Sequence, residues 1–174
     1  MLNMLAALVL AAPLQIPKEP AKDLFVHQLH APGLEVRFVD YHWQPTVFES
    51  FEKGGALPGG NTNWVIARVI VENRALHVGD KLIGVGNYAV ALWPAEGERP
   101  TTLEIREVDM RLLVPNINVL SPLPKGDTAY RGPVTWEPAT PLLPRLDMTL
   151  ANTDAKTTLT MLWGDRRLVL DFVR

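Results

Sequence analysis

Cysteine is absent from this chain, which excludes disulfide bridges, thiolate nucleophiles, Cys-ligated zinc and a lipid-modified N-terminal cysteine. Stability must come from packing. Serine is almost absent as well: Ser50 and Ser121 are the only two, and neither lies in the Gly-x-Ser-x-Gly elbow that presents a nucleophile. A charge of one sign is also missing. With 17 Lys and Arg against 19 Asp and Glu the net charge is −2, and the basic residues are scattered, so the chain has no electrostatic footprint for nucleic acid or an anionic membrane. No internal repeat or low-complexity tract is present, and no sustained 3.6-residue period follows the N-terminal segment. Nor is there a cofactor motif. The glycine-rich stretch from Gly54 to Asn61 lacks the lysine and the following helix of a phosphate cradle, and reads as a turn.

What is there suits an ordinary globular domain: 174 residues, 47% hydrophobic and 21% charged, enough to bury one core. The first residues form an apolar run ending in Val9-Leu10-Ala11, the small-residue spacing that a signal peptidase accepts. This predicts a leader over residues 1–11, a single domain over 12–174 and a periplasmic or secreted location. The run is too short to cross a bilayer core of about 30 Å, so no transmembrane span is expected.

Alternation then points to strands. Leu34, Val36 and Phe38 share one face, after which the apolar phase shifts to Val39, Tyr41 and Trp43, as a bulge near Phe38 would cause. Trp64 to Val71 is almost continuously apolar and reads as a central strand. Glycines at 79, 84 and 86 punctuate a turn that leads into a strand carrying Tyr88, Val90 and Leu92 on one face and stopped by Pro94. Leu103 to Arg106 alternates again. From Pro115 to Pro144 the prolines are dense, which predicts a long surface connection with one short strand around Val134 and Trp136. Thr157–Trp163 and Arg166–Val173 flank Gly164-Asp165, a two-residue turn that would set Leu159 opposite Leu170 and Met161 opposite Leu168. The fold class expected is all-β, an antiparallel β-sandwich, with jelly-roll-like topology as one form of it.

Chemistry-bearing residues are few. His27, His30, Asp40 and His42 are the one set with metal-ligand or acid-base character, although residues three apart on a strand point to opposite faces and separate His27 from His30. Carboxylate pairs such as Glu49 with Glu52 and Glu96 with Glu98 sit in polar, turn-like surroundings that suit solvation rather than general acid chemistry. Five tryptophans offer stacking surfaces. Trp93 and Trp163 adjoin turns and Tyr88 starts the same strand as Trp93, so these three are the candidate contacts for a carbohydrate or other small apolar ligand.

Gly79, Lys81, Gly86, Tyr88 and Pro94 fall at matching positions of a segment, Gly-Gly-Lys-x-Leu-Pro-Ala-Gly-x-Tyr followed by a strand and Pro, and in this the chain resembles a family of bacterial, mostly signal-peptide-bearing proteins of unknown function. Asp80 stands where the family has its second Gly. Gly59-Gly60-Asn61-Thr62 echoes a second family segment, and Leu162 to Leu168 resembles its closing Trp-containing hairpin. The resemblance implies an extracytoplasmic β-sandwich and no known reaction. The resulting expectation is a non-enzymatic binding or structural module that needs no cofactor. The alternative is a metal-dependent enzyme or hydrolase built on the His/Asp set.

Overall fold

The computed structural model describes residues 24–55, 62–109, 123 and 125–174. In chain order these form β1 (Val26–Ala31), β2 (Leu34–Val39), α1 (Pro45–Glu52), β3 (Trp64–Val71), β4 (Leu76–Val78), β5 (Lys81–Ile83), β6 (Gly86–Trp93), β7 (Thr102–Glu107), β8 (Thr128–Pro133), β9 (Glu137–Asn152) and β10 (Lys156–Val173). Two antiparallel sheets result, one ordered β1-β2-β3-β6-β7-β8 and the other β5-β4-β10-β9. The expected all-β sandwich is what the chain builds. The leader read over 1–11 and the loop at 56–61 lie outside the described residues. Among the described residues no helix is long and apolar enough to cross a membrane.

The alternation read along the chain explains the layers. Leu34, Val36, Phe38, Val69, Val71, Tyr88, Val90, Leu92, Leu103 and Ile105 from the first sheet meet Leu76, Val78, Ile83, Leu146, Met148, Leu159, Met161, Leu170 and Phe172 from the second in one buried core. The phase shift after Phe38 has a topological cause. The chain leaves the first sheet there, and Tyr41 to Trp43 runs along the edge of β9: Trp43 N donates to the Pro144 carbonyl at 2.8 Å and Leu146 N to the Tyr41 carbonyl at 2.8 Å. One strand thus serves both sheets in succession and closes that corner.

β10 doubles back on itself. Lys156 Nζ lies 2.6 Å from Asp171 Oδ2, Thr158 Oγ1 donates to Asp171 Oδ1 at 2.6 Å, and Arg174 N donates to the Ala155 carbonyl at 2.9 Å. An uninterrupted strand would hold residues 156 and 171 roughly 50 Å apart at its usual rise. The fold-back point is Gly164-Asp165, where Gly164 takes φ +61° and Asp165, like every non-glycine among the described residues, does not have positive φ, the signature of a type II′ turn. Thr158 facing Asp171 is the register that sets Leu159 against Leu170. Leu159, Met161, Leu168, Leu170 and Phe172 are all buried.

Two readings need correction. The proline-dense region holds strands β8 and β9, not a long connection with one strand at Val134 and Trp136; those two residues lie between the strands. The prolines are tolerated because both strands are outermost in their sheets, and the short Tyr41–Trp43 segment beside β9 bonds to the Pro144 carbonyl and the Leu146 N–H, which calls on no proline nitrogen. Within that region, residues 115–122 and 124 lie outside the described residues. Helix α1 was not anticipated, because eight residues are too few for a sustained period. Its start is encoded locally by Pro45 in the first turn, whose fixed φ suits a helix, and it is held in place by burial of Phe48 and Phe51.

Candidate functional site

Four of the five tryptophans turn inward. Trp43, Trp64, Trp136 and Trp163 gather around Phe48 beneath α1, with ring centroids 4.3 Å apart for Trp64 and Trp163 and 5.2 Å for Phe48 and Trp136. Trp163 is 1% exposed and donates its indole Nε1 to the Tyr41 carbonyl at 3.1 Å. It plugs one end of the sandwich and meets no ligand. Tyr88 is buried too. Its hydroxyl donates to the Gly84 carbonyl at 2.8 Å, and burial raises its pKa above the ordinary phenol range. That bond pins the glycine-punctuated loop and gives Gly84, Gly86 and Tyr88 a structural role. The three aromatics singled out from the sequence therefore do not form one site.

Of these three, Trp93 alone keeps access to solvent. It ends β6 on the face opposite Tyr88, half-buried over a small apolar patch of Val65, Ala89, Ala91, Val108 and Leu123 on the outer face of the six-stranded sheet. Above it opens a cleft of about 510 Å³, lined by Pro94, Glu96, Arg99, Pro100, Thr102, Arg131, Gly132 and Pro133. The β6–β7 turn forms one wall, tied by reciprocal backbone bonds of 3.0 Å between Glu96 and Arg99, and edge strand β8 forms the other. Arg131 lays its guanidinium over the Trp93 ring, 5.0 Å from the centroid, and its Nε lies 3.3 Å from Thr102 Oγ1. The ladder explains the meeting. Trp93 pairs with Thr102, and Arg131 pairs with Glu104 two residues further along β7, so all four project from one face.

Behind the cleft the same face carries a polar network. Arg37, Arg68 and Arg106 lie along one line of paired residues, with Ala89 between the last two. The Glu104 carboxylate is completely buried. Its Oε1 accepts from Arg106 Nε at 2.8 Å, Arg106 Nη2 at 2.7 Å and Thr128 Oγ1 at 2.7 Å, while Oε2 has no hydrogen-bond partner. Arg68 donates to Asn87 Oδ1 at 2.9 Å, and burial, reinforced by the like charge of Arg37, draws its pKa below the ordinary guanidinium range.

The histidine set is only partly assembled. His27 Nε2 lies 3.8 Å from Asp40 Oδ2 and its ring stacks on Phe38 at 5.0 Å. His30 instead faces Glu35 at 3.8 Å, and His42 bridges Arg145 along the backbone. Asp40 is occupied: its Oδ1 accepts from Phe25 N at 2.6 Å, and its Oδ2 from Arg145 Nη1 at 2.9 Å. A guanidinium therefore sits on the oxygen that a metal shared with His27 would need. Among the described residues no three His, Cys, Asp or Glu side chains come together closely enough to hold a metal ion.

Sequence reading found Trp93 and missed its partners. The alternation Thr102, Glu104, Arg106 marks a polar face, and Trp93 is out of phase with Leu92, so half of the cleft was there to be seen. Arg131 carries no local signal. No protein family, curated protein or solved structure matches the chain significantly.

Proposed function

We propose that this chain is an exported, non-enzymatic binding module of the kind it resembles, and that its ligand site is the Trp93 cleft. The observation that carries the reading is the built character of that cleft. Pro94, Pro100 and Pro133 fix its rims, the Glu96–Arg99 bridge fixes its turn, and Arg131, seated over the neighbouring Trp93 ring, lines its wall. A site whose walls are set before a ligand arrives loses little entropy on binding. Aromatic surface beside a few directed polar groups is the composition of small-ligand sites. The apolar run ahead of Val9-Leu10-Ala11 supports export.

The test follows one atom. The indole N–H resonance of Trp93, assigned by its loss in Trp93→Phe, is titrated with a panel of acidic and neutral oligosaccharides and flat aromatic compounds. A saturable shift for at least one compound is expected. A panel that leaves this resonance unmoved, or stoichiometric zinc or copper in the purified protein, overturns the reading. Intact mass from the native host tests export, and a retained Met1 refutes it.

A further inference from the structure

Resting on that reading, we infer that the cleft recognises an oxyanion, and that its ligand is a small acidic saccharide held through a carboxylate. The neutral-sugar mode needs a bare indole face. Here Arg131 lines the cleft and lies over the Trp93 ring, which is not itself part of the lining, so what the cleft presents is the cation and not the ring.

Arg131 is held ready for an anion. A cross-strand carboxylate directly opposite would ordinarily neutralise it, and Glu104 is that residue. But the Glu104 carboxylate is engaged by Arg106 and Thr128, and Arg131 makes no ion pair among the described residues. The ring contact with Trp93 and the Nε contact with Thr102 hold the guanidinium at the cleft wall and leave its terminal N–H groups for a fork onto a planar carboxylate. The opposite wall adds Arg99, whose one ionic contact among the described residues is Glu96 at 3.9 Å with both side chains more than four-fifths exposed, a pairing that competes weakly with a ligand. Two arginines against one glutamate make the cleft locally positive in a chain of net charge −2. Its volume of about 510 Å³ suits one or two sugar rings rather than a bare ion.

The experiment titrates the whole protein with trigalacturonate, with neutral galactotriose and with inorganic phosphate, reading the Trp93 indole resonance. Trigalacturonate is expected to bind at least about tenfold more tightly than galactotriose, and to weaken as salt is raised. Arg131→Lys keeps the charge but loses the planar fork and the stack, and Arg131→Gln loses both. Each is expected to weaken trigalacturonate binding by about tenfold or more while leaving the thermal midpoint in place, since Arg131 is exposed. Phosphate that competes with trigalacturonate through the same Arg131 supports the oxyanion site; phosphate binding while trigalacturonate does not overturns the saccharide assignment. Equal binding of galactotriose and trigalacturonate, or indifference to both Arg131 variants, overturns the inference and leaves the binding-module reading standing. Silence from the whole panel overturns that reading itself.

Discussion

Gly164 offers the sharpest test of how the sandwich end is assembled. It sits at φ +61° at the fold-back of β10, and a Cβ placed on it would lie 2.1 Å from Cδ2 and Cε2 of Trp43 and 2.6 Å from Cε3. Gly33, in the β1–β2 turn, also has positive φ, +81°, but has nothing within 4 Å of the same point. The pair separates two costs. Alanine in left-handed backbone costs about 1–2 kcal/mol at either site. At Gly164 the indole of Trp43 must also move, although it is packed against Phe48 at 4.9 Å and Trp163 at 6.3 Å, and such overpacking costs about 1–3 kcal/mol more. Gly33→Ala should therefore lose about 1–2 kcal/mol and Gly164→Ala about 2–5 kcal/mol. The larger loss is a substantial share of a typical domain stability of about 5–15 kcal/mol. Urea unfolding followed by far-ultraviolet circular dichroism measures both. A cycle with Trp43→Leu should return much of the excess, because the smaller side chain vacates the contact. Equal losses at the two glycines, or no coupling between positions 43 and 164, would refute the close-approach argument.

Phe172 is fully buried, so Phe172→Ala should cost about 3–5 kcal/mol from lost transfer energy and the cavity left behind, whereas Val169→Ala, on the opposite face of the same strand, should stay within about 0.5 kcal/mol. Similar urea midpoints for the two variants would show the face assignment to be wrong. Asp171 titrates below the ordinary carboxylate range, first because Lys156 donates to it and then because Thr158 does. Its depressed pKa contributes stability above the unfolded-state value of about 4, and this is lost as pH falls through the lower folded value. Asp171→Asn should therefore flatten the acid limb of the stability curve, by at most about 1 kcal/mol because the side chain is 38% exposed and screened. An acid limb unchanged by the substitution would contradict the linkage.

Strand faces were legible where side-chain character has a period of two, written directly in Leu34 to Phe38 and Leu159 to Met161, whereas Tyr88 to Leu92 is buried on both faces and its alternation is of large with small side chains. The turn at Gly164-Asp165 was legible because it is short and its chemistry is local. Features that depend on distant partners were not. Pro138, Pro141 and Pro144 argue against a strand when read alone, and only the edge position of β9 makes them harmless. Trp163 adjoins a turn and so suggested exposure, yet α1 folds Phe48 over it, a contact across more than a hundred residues. For the histidines, Asp40 and His42 were part of one candidate set, but the chain changes sheets between them, and Asp40 turns to Arg145.

The position of the cleft follows from the same edge logic. β8 closes the six-stranded sheet, and an exposed edge invites another strand unless something blunts it. Pro133 does so at the cleft end of β8, since it has no N–H to offer an incoming peptide, and β5 lies beside the strand further along. Backbone pairing is thus disfavoured where Arg131 and Gly132 line the wall. Recognition there must pass through side chains, and the side chain that the ladder places over Trp93 is a guanidinium. The proline that protects the edge also stiffens the wall. The fold thereby disfavours strand addition at this edge and leaves a proline-rimmed cleft with Arg131 on its wall, the side chain on which the proposed selectivity rests.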